Sequence, residues 1–140
     1  MIAKVVIDAT GDANAAGMAG LEREIHDPPQ PGTQMYHISG YDFGSLNIDA
    51  IERNFERAVE AGELLRSDMH SARHVLLNRG DNSNHILGAR GETSEAQTRA
   101  NLDGRACLRR VLKFLRRQPG LESLRVDCVA TMCGVRQGKT

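Results

Sequence analysis

The sequence predicts a mixed α+β fold that begins with a strand–turn–helix unit of the α/β type and continues into a small mixed region with two long helices. Three observations predict this class. Residues 5–7 form a β-branched run that precedes a glycine turn and a stretch of small residues. Two later segments carry apolar residues at helical spacing. Short strand-like runs, bounded by glycine, proline and polar residues, precede and separate these two segments.

The first unit is predicted from residues 5–20. Residues 5–7, Val-Val-Ile, have the composition of a strand buried in a parallel sheet. The chain then turns at residues 9–12 into a mildly helical stretch of small residues, which Gly20 is suited to end. The three prolines of residues 27–32 lack backbone donors, so this segment favours neither a helix nor a central strand. We interpret it as a boundary.

The first long helix is predicted after a short strand. Residues 34–39 alternate well enough for one strand, which Gly40 closes. Asn47 is a suitable N-cap for the helix that follows. The apolar residues of this helix recur at three- and four-residue steps, with a last step of six, at Ile48, Ile51, Phe55, Val59 and Leu65.

The second long helix is predicted to begin near Thr93-Ser94 and to end at Pro119-Gly120. Ser94 and Gln97 have the spacing of a capping box. The positions expected to face inward are Ala100, Cys107, Val111 and Leu115. Gly104 lies within this helix at a cost of about 1 kcal/mol relative to alanine, which indicates close packing there. Between the two helices, residues 73–78 and 85–89 favour short strands joined by a polar turn.

Composition and charge exclude several classes of function. A chain of 140 residues corresponds to about one domain, and 18 basic residues balance 18 acidic ones at a pI near 7.0. Binding to nucleic acid or to an anionic membrane by bulk charge is therefore not expected. No apolar run approaches the length of a membrane span, and no secretory signal is readable. Three cysteines without C-x-x-C spacing favour a reducing, cytoplasmic setting.

Other candidate chemistry is weak. His70 and His74 are four residues apart, which on a helix would place two imidazoles on one face, but no glutamate of a metalloprotease motif lies between them. We predict exposed histidines and no metal site. The cysteines lack zinc-ligand spacing and are expected to be buried thiols. Tyr36 and His37, on the strand after the proline segment, either face a substrate or occupy ordinary core and surface positions.

Two segments carry a resemblance to a known family. Residues 5–13, VVIDATGDA, resemble the ATGD turn of FAD-dependent oxidoreductases with a two-dinucleotide-binding-motif Rossmann domain. Residues 130–136, ATMCGVR, are similar to the GVR segment by which the chain re-enters the flavin domain in that family. The resemblance implies a Rossmann-type strand, turn and helix, FAD as cofactor, and hydride transfer between a small-molecule substrate and FAD.

The resemblance also implies a set of cofactor-binding residues. These are Ala9, Thr10, Gly11, Asp12, Gly134, Val135 and Arg136. Gly11 permits a positive φ and a close approach of backbone to ligand. Asp12 either caps the following helix or accepts a hydrogen bond from a ribose or ribitol hydroxyl. Arg136 either pairs with a phosphate or a reacting anion or is a solvated side chain. No catalytic residue is assigned.

By the same resemblance, residues 1–27 are a partial FAD-binding segment, residues 33–128 a substrate-side domain, and residues 129–140 the return into the FAD domain. The family's G-x-G-x-x-G turn does not occur in this sequence. We therefore expect an internal piece of a longer enzyme that by itself is inactive and lacks FAD. Expected partners are a small-molecule substrate and either a second copy or the remainder of the parent chain. The alternative function is a non-enzymatic assembly module that self-associates.

Overall fold

The computed structural model describes residues 3–24 and 27–136. The helices are α1 (Asn14–Met18), α2 (Ile48–Glu60), α3 (Ala72–Leu77) and α4 (Ser94–Leu115), and the strands are β1 (Tyr36–Ser39), β2 (Gly80–Asp81) and β3 (Arg125–Val129). A short 3-10 turn spans Phe43–Ser45. The mixed α+β class and the two long helices predicted from the sequence are confirmed.

The three strands form one antiparallel sheet in the order β2-β1-β3. Between β1 and β3 the register is irregular. His37 lies opposite Cys128, but the next residue, Ile38, lies opposite Val126. Asp127 is therefore an extra residue of β3, in the manner of a β-bulge.

One face of the sheet packs against the helices and forms the core. Tyr36 and Ile38 of β1 are buried, whereas His37 and Ser39 between them are half-buried on the opposite face, as the two-residue period of a strand requires. Helices α2 and α4 meet at the rings of Phe55 and Phe114, whose centroids are 6.3 Å apart. Other large side chains that are fully buried are Ile51, Leu64, Met69, Leu76, Leu115 and Leu121.

Helix α2 begins as its sequence predicts. The Asn47 side chain accepts a hydrogen bond of 3.1 Å from the backbone N–H of Ala50. The expectation that Leu65 continues the buried stripe is wrong, because this side chain is 53% exposed. The helix ends before it, Gly62 turns the chain with a φ of 71°, and Leu64 is buried instead.

The strand predicted at residues 73–78 is wrong, because this segment forms α3. Ser71 caps the helix, and the Glu52 carboxylate on α2 accepts hydrogen bonds from the backbone N–H groups of Ala72 (3.2 Å) and Arg73 (2.6 Å). Amides of the first helical turn have no partner within their own helix. The apolar run of residues 73–78 is short enough to suit a helix or a strand, and Glu52, which is distant in sequence, stabilises the helix.

The strand predicted at residues 85–89 is reduced to one bridge. Ile86 pairs with Gly32 through two backbone hydrogen bonds of 2.8 and 2.9 Å, and its neighbours join no strand. A Cβ on Gly32 would lie 2.7 Å from Cβ of Ala89, so a glycine is needed for this close approach. The segment is held by this bridge to Gly32 and by the His85 N–H, which donates to the Ser67 carbonyl at 2.8 Å, rather than by a sheet.

The buried strand predicted at Val5-Val6-Ile7 is also wrong. These side chains are 78%, 74% and 87% exposed, and residues 5–9 belong to no helix or strand. A parallel-sheet strand needs a neighbour on each side and helices over its faces. The described part of the chain supplies neither to this run. The helix predicted after the turn is present as α1, and Gly20 follows it with a φ of 82°.

Helix α4 begins at the predicted place with a different cap. Thr93, not Ser94, is the N-cap, and its side chain accepts a hydrogen bond of 3.1 Å from the Ala96 N–H. The close packing predicted at Gly104 is confirmed, because a Cβ there would lie 2.9 Å from both Cβ and Oε1 of Gln34.

The three cysteines are free thiols in different surroundings. Cys107 and Cys133 are buried, as predicted, but the prediction is wrong for Cys128, which is exposed on β3. Burial raises the pKa of the Cys107 thiol far above its usual range and raises that of Cys133 in the same direction. Both buried thiols therefore stay protonated and act as small apolar side chains.

Candidate functional site

The turn before α1 is organised by Asp8. Its Oδ1 accepts hydrogen bonds from the Thr10 backbone N–H (3.0 Å) and hydroxyl (2.6 Å), and its Oδ2 accepts one from the Ala16 N–H (2.9 Å). The Thr10 hydroxyl oxygen in turn accepts from the Asn14 N–H at 2.8 Å. Hydrogen bonds from the Thr10 hydroxyl and from backbone amides lower the pKa of Asp8 to about 2. The carboxylate is thus ionised and ties the segment before the turn to the helix.

Sequence reasoning did not single out Asp8. The available signal was a carboxylate two residues before a threonine at the entry to a small-residue helix, a pattern that favours local side-chain to backbone bonds. The residue at the N-cap position of α1 is Ala13 rather than Asp12, and the first amides of the helix donate to the side chains of Thr10 and Asp8. The positive φ predicted for Gly11 is confirmed at 83°.

A cleft of about 460 Å³ brings the two motif segments together. Its walls are formed by Gly11, Asp12, Gly91, Gln97, Met132, Cys133, Gly134, Val135 and Arg136. Five of the seven predicted cofactor-binding residues line this cleft, while Ala9 and Thr10 are not part of its walls. The two segments lie at opposite ends of the sequence, so the tertiary structure alone makes them neighbours.

The second segment is held in place by residues from two other parts of the chain. Gly134 exchanges two backbone hydrogen bonds of 2.8 Å with Thr33. On the other side, the Cys133 N–H donates to Asn101 Oδ1 at 2.7 Å, and Gln97 Nε2 donates to the Cys133 carbonyl at 3.1 Å. Asn101 and Gln97 both belong to α4. The long helix therefore positions this wall of the cleft.

The cleft offers donors that suit an anion with several oxygens. Over residues 3–24 and 27–136, the backbone N–H groups of Gly11, Val135 and Arg136 have no hydrogen-bond acceptor. The Arg136 guanidinium forms no ion pair with any of the same residues. Free amides and a guanidinium fork together fit phosphate oxygens. Asp12, on the same walls, provides a carboxylate that can accept from a sugar hydroxyl.

The remaining candidates lie away from this cleft. The rings of His70 and His74 make an edge contact with centroids 5.8 Å apart, and both side chains are exposed. Among the residues that the structure describes, no three His, Cys, Asp or Glu side chains are grouped as a metal site would need. Within the same residues, none of the helices is both long and apolar enough to span a bilayer.

Tyr36 and His37 have different environments. Tyr36 is 3% exposed in the core, where burial raises the pKa of its hydroxyl to about 12. His37 lies on the outer face of the sheet, where its Nδ1 is 2.8 Å from an oxygen of Asp127. The open question from the sequence is therefore resolved by the strand period: Tyr36 is a core residue, and His37 is accessible.

The fold and the cleft define a mixed α+β protein with a ligand-sized opening between two glycine-containing segments. The family model described as FAD dependent oxidoreductase matches residues 1–140, and the chain belongs to this family. Comparison with curated proteins and with solved structures gives no match. Membership implies FAD as the cofactor of the enzyme and a small-molecule substrate, as the resemblance of the two motif segments also implied.

Proposed function

We propose that this chain contributes part of the FAD site and the substrate side of an oxidoreductase in which a hydride passes between a small substrate and FAD. The observation that carries the proposal is the cleft that joins Gly11 and Asp12 to residues 134–136. Its volume of about 460 Å³ lies in the range of small-molecule sites. The family match over the whole chain supports the same cofactor.

The residues of the cleft fit a dinucleotide in a specific way. The unpartnered amides and the Arg136 guanidinium bind phosphate oxygens, and the Asp12 carboxylate accepts a hydrogen bond from a ribose or ribitol hydroxyl. Asp8 acts behind this surface. By fixing Thr10 and the start of α1, it preorganises the Gly11 backbone and lowers the entropy lost on binding.

We infer separate roles for the cofactor and for the chain. FAD, when bound, supplies the two-electron acceptor for the reaction. The chain supplies binding and orientation: the turn at Gly11 and the segment at residues 134–136 contact the cofactor, and the region from residue 33 to residue 128 faces the substrate. Met132 and Val135 give the cleft apolar surface that limits access of water.

Titration of FAD with the chain tests this assignment. We expect weak binding, with no flavin retained after gel filtration, because the sequence has no G-x-G-x-x-G turn to neutralise the pyrophosphate. Arg136→Ala removes a hydrogen-bonding charge worth about 1.5–3 kcal/mol, so the dissociation constant from quenching of flavin fluorescence should rise at least tenfold. Arg53→Ala, at an exposed position on α2, is the control and should leave it unchanged. Stoichiometric flavin after gel filtration would contradict the expected weak binding. An Arg136→Ala protein that binds FAD with wild-type affinity would contradict the role of Arg136.

A second candidate function, self-association, is favoured by Val5-Val6-Ile7. Three consecutive apolar side chains at least 74% exposed form a surface suited to pairing with another chain. We expect light scattering to show oligomers at micromolar concentration and a shift towards monomer when all three residues are changed to serine. A wild-type chain that stays monomeric over this range, with a cooperative thermal transition, would exclude assembly through this segment.

A further inference from the structure

The outer face of the sheet carries a polar cluster that the FAD cleft does not use. Asp127 Oδ2 lies 2.8 Å from His37 Nδ1, and Asp127 Oδ1 accepts a hydrogen bond of 2.6 Å from the Ser39 hydroxyl. Arg125 Nε donates to the Ser39 oxygen at 3.3 Å. Asp127 reaches both partners because it is the extra residue of the β3 bulge. Bulges often occur beside active sites, where they redirect a side chain.

The cluster determines which nitrogen of His37 carries a proton. Hydrogen bonds from Ser39 and then from His37 lower the pKa of Asp127, so its carboxylate is ionised and can only accept. Nδ1 of His37 must therefore donate to it. In the neutral imidazole this leaves Nε2 as a proton acceptor. Across the described residues, Nε2 has no hydrogen-bond partner.

His37 lies in the wall of a second cleft, with a volume of about 410 Å³. Met35, Val129 and Ala130 give this cleft an apolar surface, and its polar side chains besides His37 are those of Tyr36, Asn78 and Cys128. Only Thr131 separates Ala130 from Met132, which lines the FAD cleft. The two clefts are thus adjacent along one segment of chain.

We propose that this second cleft binds a small alcohol with an apolar body and that His37 is the base for its oxidation. The inference rests on the proposed flavin-dependent function. The alcohol O–H bond breaks and its proton passes to Nε2 of His37, while the hydride of the adjacent C–H bond passes to oxidised FAD. A carbonyl forms, so the substrate loses two electrons and two hydrogens in all. Asp127 is a positioning residue that sets the tautomer.

The first arm of the test measures the tautomer without flavin. In the ¹⁵N-labelled chain at a pH where His37 is neutral, we expect long-range ¹⁵N–¹H spectra to show the Nδ1–H form, assigned by loss of the signal in His37→Gln. Asp127→Asn should convert most of the population to the Nε2–H form. Asp49→Asn, which changes an exposed carboxylate paired with Arg73, should not. A wild-type His37 that is mainly Nε2–H would overturn the proposal.

The second arm measures binding with a matched pair of probes. Cyclohexanol should shift both the Met35 methyl signal and the His37 Nε2 signal, because its hydroxyl donates to Nε2. Methoxycyclohexane has no donor and should leave Nε2 unmoved. Equal shifts of Nε2 with both probes, or no shift with cyclohexanol, would refute the site. Neither arm uses FAD. A negative result in either arm would therefore refute the role of His37 without contradicting the proposed FAD site, and a negative FAD titration would not change what these two arms show about His37.

Discussion

Replacing Gly11 by valine is expected to remove FAD from an intact flavin-loaded enzyme that contains this chain, while the fold persists. Gly11 has a φ of 83°, a conformation that costs an L-residue roughly 1–2 kcal/mol and a β-branched one more. Within the described structure a Cβ on Gly11 would meet no atom within 4 Å. The added side chain therefore occupies open space of the cleft, which is the space that we assign to the cofactor.

The measurement is the flavin-to-protein ratio of purified variants, with circular dichroism as the check on folding. Gly20→Val is the matched control: Gly20 has a φ of 82° and open space around its Cβ position, but it does not line the cleft. It should retain FAD, as should His70→Ala and His74→Ala. Full occupancy in Gly11→Val would show that the cofactor contacts a different turn. Equal loss in Gly20→Val would attribute the effect to backbone strain instead.

Gly104→Ala is expected to destabilise the protein although alanine is the better helix former. Propensity alone predicts a gain of about 1 kcal/mol for this change in the middle of α4. The new methyl group, however, would lie 2.9 Å from Cβ of Gln34. Gln34 cannot easily move, because its backbone N–H donates to Asn84 Oδ1 at 2.9 Å and its Nε2 donates to the Ala130 carbonyl at 2.7 Å. Overpacking of this kind costs about 1–3 kcal/mol, which exceeds the gain.

Chemical denaturation of both proteins gives the free energy of unfolding directly. Ala106→Gly is the control, since Ala106 is exposed on the same helix and should lose about 1 kcal/mol from propensity alone. In a Gln34→Gly background the steric conflict is absent, so Gly104→Ala should become stabilising. An increase in stability for Gly104→Ala in the wild-type background would show that Gln34 yields and that the packing is looser than we infer.

Local sequence was sufficient for the parts of this fold whose stabilising groups lie close together along the chain. Helix α2 follows from its Asn47 cap and apolar spacing, and α4 from its spacing and the cap region at residues 93–94. The positive φ of Gly11 follows from a glycine in the turn that leads into α1. β1 follows from alternation, although the sequence left open whether Tyr36 and His37 face a substrate or occupy core and surface positions. In each case, neighbours within a few residues determine the conformation.

Tertiary structure decided the features that depend on distant partners. The helix at residues 72–77 is stabilised by Glu52 of α2, which accepts from its first amides, and within the described residues no strand pairs with the exposed run Val5-Val6-Ile7. The adjacency of Gly11 to Arg136, and of His37 to Asp127, exists only once the chain is folded. The sequence by itself predicted the residues that we propose to contact a dinucleotide. Which of them share a cleft depended on long-range packing. The periodicity of apolar residues predicts the face of a helix or strand on which a residue lies, but not the distant residue that it contacts.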